Sequence, residues 1–273
     1  MNYVELTDQA VESMRDRDSD EPVAMINLLK FRDITQPEAD MGSISGRDCY
    51  FNHYGAGVSP IADRLGTGYS LLYRNEVHSC FFATVNEDWD YLLIVQYPSR
   101  SAFIEMITDP EYQELLRYRS NALTNSRLIE CVNDTPAGYP LNLQAPPPSD
   151  PIIERPGLFS DPRVNAVNER DPKQPTDMLN LIRLAEVTRS GGGVDNMSGA
   201  EGYEEYRTGV TSLYAERAGV EITWRAFPVA TLIGPEEECW DEALIYHYQS
   251  REQMLSMFTD YDDYRVNHLP KRN

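Results

Sequence analysis

The feature that most constrains this chain is a pattern that it spells twice. Met25-Ile-Asn27-Leu-Leu-Lys30 returns as Met178-Leu-Asn180-Leu-Ile-Arg183. Phe51-x-x-Tyr54-x-x-Gly57-Val58 returns as Tyr203-x-x-Tyr206-x-x-Gly209-Val210, and Trp89-Asp90 as Trp240-Asp241. Tyr97-x-Ser99-Arg100 has its counterpart in Tyr248-x-Ser250-Arg251, and Met106-x-Thr108-Asp109 in Met257-x-Thr259-Asp260. The offset drifts only from 153 to 151 residues, so five blocks keep both order and spacing. Duplication accounts for that agreement, and chance does not.

Between the copies lies a proline-rich bridge. Ten of the 18 prolines fall between Asn133 and Thr176, with Pro146-Pro-Pro148 at its centre. Proline fixes φ and removes a donor, so neither a helix nor a central strand runs through such a stretch. The expected organisation is a first unit over 1–132, a linker over 133–176 and a second unit over 177–273.

Periodicity sketches one unit. Val23–Phe31 is a short apolar run and reads as a strand. Asp48–Leu65 places Phe51, Tyr54, Val58, Ile61, Ala62 and Leu65 at helical spacing, with Pro60 expected to kink or divide the helix. Tyr69–Arg74, Val77–Val85 and Tyr91–Tyr97 read as strands. Ser99 reads as the N-cap of a helix to Met106, followed by a helical stretch Tyr112–Ala122 and a strand Arg127–Val132. The resulting order is β-α-β-β-α-β, the ferredoxin-like arrangement, so the fold class is α+β with two such units. The second unit stops at Asn273 without a counterpart of Ser126–Cys131. Its last strand is therefore missing or supplied by another segment, for which Ile152-Ile-Glu154 is the expected source.

Composition narrows the function classes. The net charge of −20 excludes the basic face that nucleic-acid binding needs. No apolar run is long enough to span a membrane and the N-terminus lacks a secretory pattern, so a cytoplasmic location is expected. Cys49, Cys80, Cys131 and Cys239 form no C-x-x-C pair, which predicts reduced thiols and no structural zinc. There is no phosphate-binding glycine loop and no nucleophile elbow.

The blocks Met25-Ile-Asn-Leu-Leu-Lys-Phe31, Tyr54, Trp89-Asp90, Tyr97-Pro-Ser99, Asp109-Pro-Glu-Tyr112 and Arg119 resemble the domain of unknown function 1330 family, in the dimeric α+β barrel superfamily. The resemblance covers residues 20–132 well and 177–273 more loosely, since Tyr261 and Gln249 replace the prolines. It implies two ferredoxin-like units packed sheet against sheet, here as a pseudo-dimer within one chain. It also implies a choice among cofactor-independent monooxygenases, cyclases and isomerases, and haem enzymes.

The candidate site residues follow from polar positions inside apolar elements. Asn27 and Asn180 are carboxamides within strands, able to stabilise an enolate or to satisfy neighbouring backbone. His247 lies mid-strand, with Gln96 at the matching place. His247 and His78 are the expected bases, and a histidine is the expected ligand should haem bind. Tyr54 and Tyr206 occupy one helix position in both units, and Trp224 and Arg225 are expected at a cavity mouth. Trp89-Asp90 and Trp240-Asp241 are expected to be structural, and Arg100 and Arg251 to be solvated or paired with acids. No metal spacing links the histidines. The expected function is cofactor-free chemistry on a small, partly apolar, aromatic or polyketide-like substrate, by proton abstraction and anion stabilisation. A haem enzyme and a plain binding barrel are the alternatives, and the chain is expected to be a monomeric pseudo-dimer or a homodimer.

Overall fold

The structure is a computed structural model that describes residues 3–37, 41–80, 87–133, 169–187, 196–218 and 220–259. Contacts divide the chain into two compact units: Met1–Asn133 with Phe227–Cys239, and Asp134–Ala226 with Trp240–Asn273.

The first unit opens with helix α1 (Asp8–Arg15), whose N-cap Thr7 accepts a hydrogen bond from the Ala10 amide, 3.2 Å away. Strand β1 (Val23–Phe31) has the predicted bounds. The helical stretch that follows has three parts: α2 (Gly46–Cys49), a π-helical segment (Tyr50–Gly55) and α3 (Ala56–Leu65). Pro60 sits inside α3 without dividing it, and the stretch is divided upstream instead. The bond that proline removes would have gone to Ala56, where the wide turn gives way to α3, so the irregularity lies upstream of the ring.

Strand β2 (Ser70–Glu76) and strand β3 (Tyr91–Tyr97) pair as a hairpin, with Glu76 opposite Tyr91. No β3 residue is left to pair with Val77–Cys80, so the apolar stretch expected as a further strand is not one over those residues; 81–86 lie outside the described residues. Helix α4 (Arg100–Thr108) is capped by Ser99, as its sequence predicts. Helix α5 (Pro110–Ala122) starts two residues before the predicted start. Asp109 caps it and Pro110 fills its first position, where a missing N–H costs nothing. Strand β4 (Leu123–Asn133) completes the unit.

The sheet order is β2-β3-β1-β4, with antiparallel neighbours, which is the ferredoxin-like order. The first unit also takes in Phe227–Cys239, from which Leu232 and Ile233 join its core. That core sets Met25, Leu29, Tyr97 and Leu128 of the sheet against Tyr50, Tyr54, Phe103, Met106 and Tyr112 of the helices.

Arg100 is fully buried rather than solvated. It holds Glu130 at 2.5 Å and Glu21 at 2.8 Å, and Arg17 adds a second bond to Glu130 at 2.6 Å. Arg127 pairs with Glu238 at 2.7 Å and lies over the Trp89 ring.

The second unit contains β5 (Thr176–Ile182), α6 (Gly199–Ala218), strand β6 (Val220–Ile233, of which Val220–Ala226 belongs here), β7 (Glu242–Tyr248) and α7 (Arg251–Thr259). Its strands run in the order β6-β7-β5. The segment expected to fill its edge, Ile152-Ile-Glu154, lies outside the described residues, as does most of the proline-rich bridge.

Matching residues of the two units make matching bonds. Asn27 Nδ2 donates to the Met25 carbonyl at 3.1 Å, and Asn180 Nδ2 to that of Met178 at 3.4 Å. Asp90 accepts from the Phe31 amide at 2.7 Å, and Asp241 from that of Leu184 at 2.6 Å. Arg100 N donates to Glu21 O and Arg251 N to Gln174 O. A side chain at Gly46 would collide with the Arg32 carbonyl, and one at Gly199 with that of Ala185, so the same close approach demands glycine twice.

Candidate functional site

Strand alternation assigns each candidate of the first unit to a face. On the helix-covered face lie Met25, Asn27 and Leu29 of β1, and Leu93, Val95 and Tyr97 of β3. On the other face lie Ile26, Ile94 and Ile129, all with no exposed surface, and with them Gln96. Burial is uneven between the faces. Side chains at a sheet centre beneath helices are ordinarily close-packed. Here Asn27, its partner Leu93 and the adjacent Val95 are only half-buried, although they sit on central strands under the helical layer. The helices therefore cover the centre of this face only in part, although Leu93 and Val95 still pack against the core.

In the same core, tyrosine hydroxyls gather. Tyr54 and Tyr112 share a hydrogen bond of 2.7 Å between their phenolic oxygens, and this is the hydrogen bond that each makes among the described residues. Tyr50 packs against Tyr54 with ring centroids 5.1 Å apart. The Tyr97 hydroxyl lies 3.8 Å from the sulfur of Met106. Tyr50 and Tyr54 both come from the π-helical segment, a rare geometry that recurs at functional sites. Burial raises the Tyr50, Tyr97 and Tyr112 phenols well above the ordinary tyrosine range, and the neighbouring Tyr54 adds to this in each case. They are hydrogen-bond donors near neutral pH and not bases.

One cation stands among them. Arg119, 5% exposed, donates to Ser126 Oγ at 3.2 Å, and its charge near the Tyr50 hydroxyl pulls that phenol back toward ionisation. Ser126 is the β4 partner of Leu29, which follows Asn27 on the same face. Two residues along a strand span about 7 Å, so the guanidinium lies within one side chain's length of the half-buried Asn27.

The second unit has a different arrangement. His247 Nδ1 lies 2.7 Å from Asp177 Oδ1, and Glu221 is its β6 partner, so carboxylates flank the imidazole on both sides. Tyr246 and Tyr248 point to the opposite face, as alternation requires. That opposite face meets α6: Arg207 of α6 holds Glu242 at 3.3 Å, and Arg225 holds the same carboxylate at 2.5 Å. Burial brings the Tyr246 phenol on this face up to about 12. Asn180 shares the face with Arg225, whereas Trp224, buried, shares the other with His247, because the register shifts between Ile222 and Trp224.

The candidates thus separate. Asn27 and Tyr54 lie on the helix side of the first unit, and Gln96 lies on the reverse. Asn180 and His247 occupy opposite faces of one sheet, so the second unit does not join them in one constellation. Tyr206 is half-buried on α6, where its ring meets that of Tyr203 at 5.4 Å. His78 is exposed and lies beyond the end of β2, not on a strand as expected. His53 is half-buried against Tyr118, and His268 lies outside the described residues. Among the described residues no cluster of three metal-ligating side chains occurs, and no helix is long and apolar enough to cross a membrane.

No family model matches the chain, and no curated protein does. Solved structures do. A protein of unknown function from Rhodopseudomonas palustris is 29% identical over 50% of this chain and all of its own, with a TM-score of 0.44. A mutant chlorite dismutase from Candidatus Nitrospira defluvii is 10% identical over 94% of this chain and 88% of its own, also at 0.44. A dimeric protein of ferredoxin-like fold and unknown function from Bacteroides fragilis is 12% identical over 41% of this chain and 97% of its own, at 0.26.

Sequence reasoning did not name Tyr50, Tyr97, Tyr112 or Arg119 as site residues. Tyr97, Tyr112 and Arg119 stood in the blocks that carry the family resemblance. The missing information was that α5 and the π-helical segment lie side by side over β1.

Proposed function

We propose that the half-covered centre of the first unit's helix side is a cleft, and that it is the site of a cofactor-independent enzyme. Its substrate is a small, partly apolar molecule, aromatic or polyketide-like, that reacts as an enolate or phenolate. The observation that carries this reading is the half-buried trio Asn27, Leu93 and Val95 under an otherwise packed helical layer, beside phenols that burial keeps protonated. Apolar walls hold the substrate's body, and the Asn27 carboxamide with the neutral phenols donates to its oxygen. Donors preorganised in a dry site favour the charged form of that oxygen. A substrate with an acidic O–H or C–H thus loses its proton more readily there, and the anion then reacts with oxygen, cyclises or isomerises. His247, whose Nδ1 lies against Asp177, belongs to the second unit, so water takes the proton of a substrate bound here. The twin hydrogen bonds of the two units support the wider proposal that the chain is a duplicated ferredoxin-like protein of the α+β barrel type, akin to the domain of unknown function 1330 family.

Phenolate absorbance tests the reading. A panel of small phenols, added to the protein one unit of pH below their own pKa, is expected to show phenolate on binding. Asn27→Ala should reduce that band. A panel without any shift, or a shift that Asn27→Ala leaves intact, refutes it.

A second reading rests on one pair of residues. An imidazole whose Nδ1 is held by a carboxylate is the arrangement that supports an axial metal ligand, so His247 with Asp177 fits the role of a haem ligand. Haem bound there would supply redox chemistry, and this chain's part would be to fix the tautomer and orientation of the ring.

A further inference from the structure

The three buried arginines of the first unit are not alike. Arg100 faces Glu130 and Glu21, and Arg127 faces Glu238. Arg119 is as deeply buried, at 5% exposure, yet its partners are two neutral hydroxyls, those of Ser126 and Tyr50. No carboxylate among the described residues pairs with it. A buried charge without a counter-charge is costly, and the negative end of α5, whose last turn carries Arg119, offsets only a fraction of that cost. Evolution has cheaper ways to fill such a position with an apolar side chain. A buried cation that no described carboxylate pairs with therefore points to an anion that the protein acquires from outside.

The surroundings say what kind of anion. Tyr54 and Tyr112 spend their hydroxyls on each other and on no other described residue, so an incoming oxygen can take a hydrogen bond from one of them while the other keeps its partner. The guanidinium fork matches a planar carboxylate, whose two oxygens it binds side by side. The approach, over Leu93, Val95 and Asn27, is apolar apart from one carboxamide. We propose that Arg119, with the hydroxyls of Tyr50, Tyr54 and Tyr112, forms a subsite for the carboxylate of a small aromatic or aliphatic acid. This rests on the reading of the cleft as a substrate site and deepens it: the substrate arrives already charged.

Matched acids and amides test the subsite. Benzoate with benzamide, and hexanoate with hexanamide, are titrated calorimetrically into the full chain at pH 7. The acid is expected to bind about 10- to 100-fold tighter than its amide, as a hydrogen-bonded charge pair gives. Arg119→Met should abolish that preference, because it weakens the acid far more than the amide, and Arg119→Lys should restore part of it. A merely structural arginine would lower the melting temperature when lost. Ser126 Oγ keeps the Tyr3 carbonyl when Arg119 is lost, so the melting temperature should fall little and Arg119→Met doubles as a folding control. Acid and amide binding equally well overturns the subsite, and so does an Arg119→Met protein that keeps its preference or melts well below the wild type. If both bind equally and Asn27→Ala weakens both, the cleft stands and only the anion subsite falls. If no acid or amide binds, both readings fall together.

Discussion

Replacing Tyr112 with phenylalanine removes one oxygen and leaves the Tyr54 hydroxyl in a nearly closed environment, 9% exposed, without its 2.7 Å partner. An orphaned buried hydroxyl costs about 1–3 kcal/mol, whereas replacing both partners with apolar groups of the same shape is nearly neutral. Tyr54→Phe should cost a similar amount by the same argument. The double variant should cost less than either alone, which gives a coupling energy of about 1–2 kcal/mol or more between the two sites. With a urea dependence of about 2 kcal/mol/M, each single variant should shift the unfolding midpoint by roughly 0.5–1.5 M. Trp89 is the first unit's tryptophan, so its fluorescence in a Trp224→Phe, Trp240→Phe background follows this unit alone. A double variant that loses the sum of the two single losses would refute the reasoning. It would mean that each hydroxyl has its own partner and that the pair is not held for an incoming ligand.

Two further outcomes follow from the same geometry. The Tyr50, Tyr97 and Tyr112 phenols are raised by burial, so the unfolded chain releases their protons first as pH rises. Stability is then level through neutral pH and falls above about pH 10, by roughly 1.4 kcal/mol per pH unit for each tyrosine, until the folded-state value is reached. Urea unfolding between pH 9 and 11.5 measures that slope, which Tyr112→Phe should make shallower by one tyrosine's share. Haemin added to the purified chain should give no Soret band that depends on His247. A band lost in His247→Ala would move the haem reading to first place.

Local signals carried much of the fold. The bounds of β1 and β3 follow from apolar runs, and Ser99 announces α4 because a side-chain oxygen there satisfies an amide three residues on. The Asp109-Pro110 step announced α5 in the same way, but the helix was read from its apolar face and so placed two residues late. Pro60 was misjudged because its effect depends on what precedes it, and a π-helical turn has no sequence signature. Val77–Cys80 looked like a strand because apolar residues alone do not show where a partner strand ends.

Charge and face were decided differently. Nothing near Arg100 in sequence shows that Glu130, thirty residues on, will bury it. Nothing near Arg119 shows that its partner among the described residues will be the Ser126 hydroxyl and not an acid. Asn27 and Gln96 both read as polar residues inside apolar strands, and only the pairing of β1 with β3, together with the side on which α5 settles, puts them on opposite faces. The strand and helix segments and the caps could be read from the chain alone, because they depend on residues within a few positions of one another. Folding decided which tyrosines meet, which buried arginine has no carboxylate partner among the described residues and which strand centre is only half-covered, because each depends on groups that are distant in sequence.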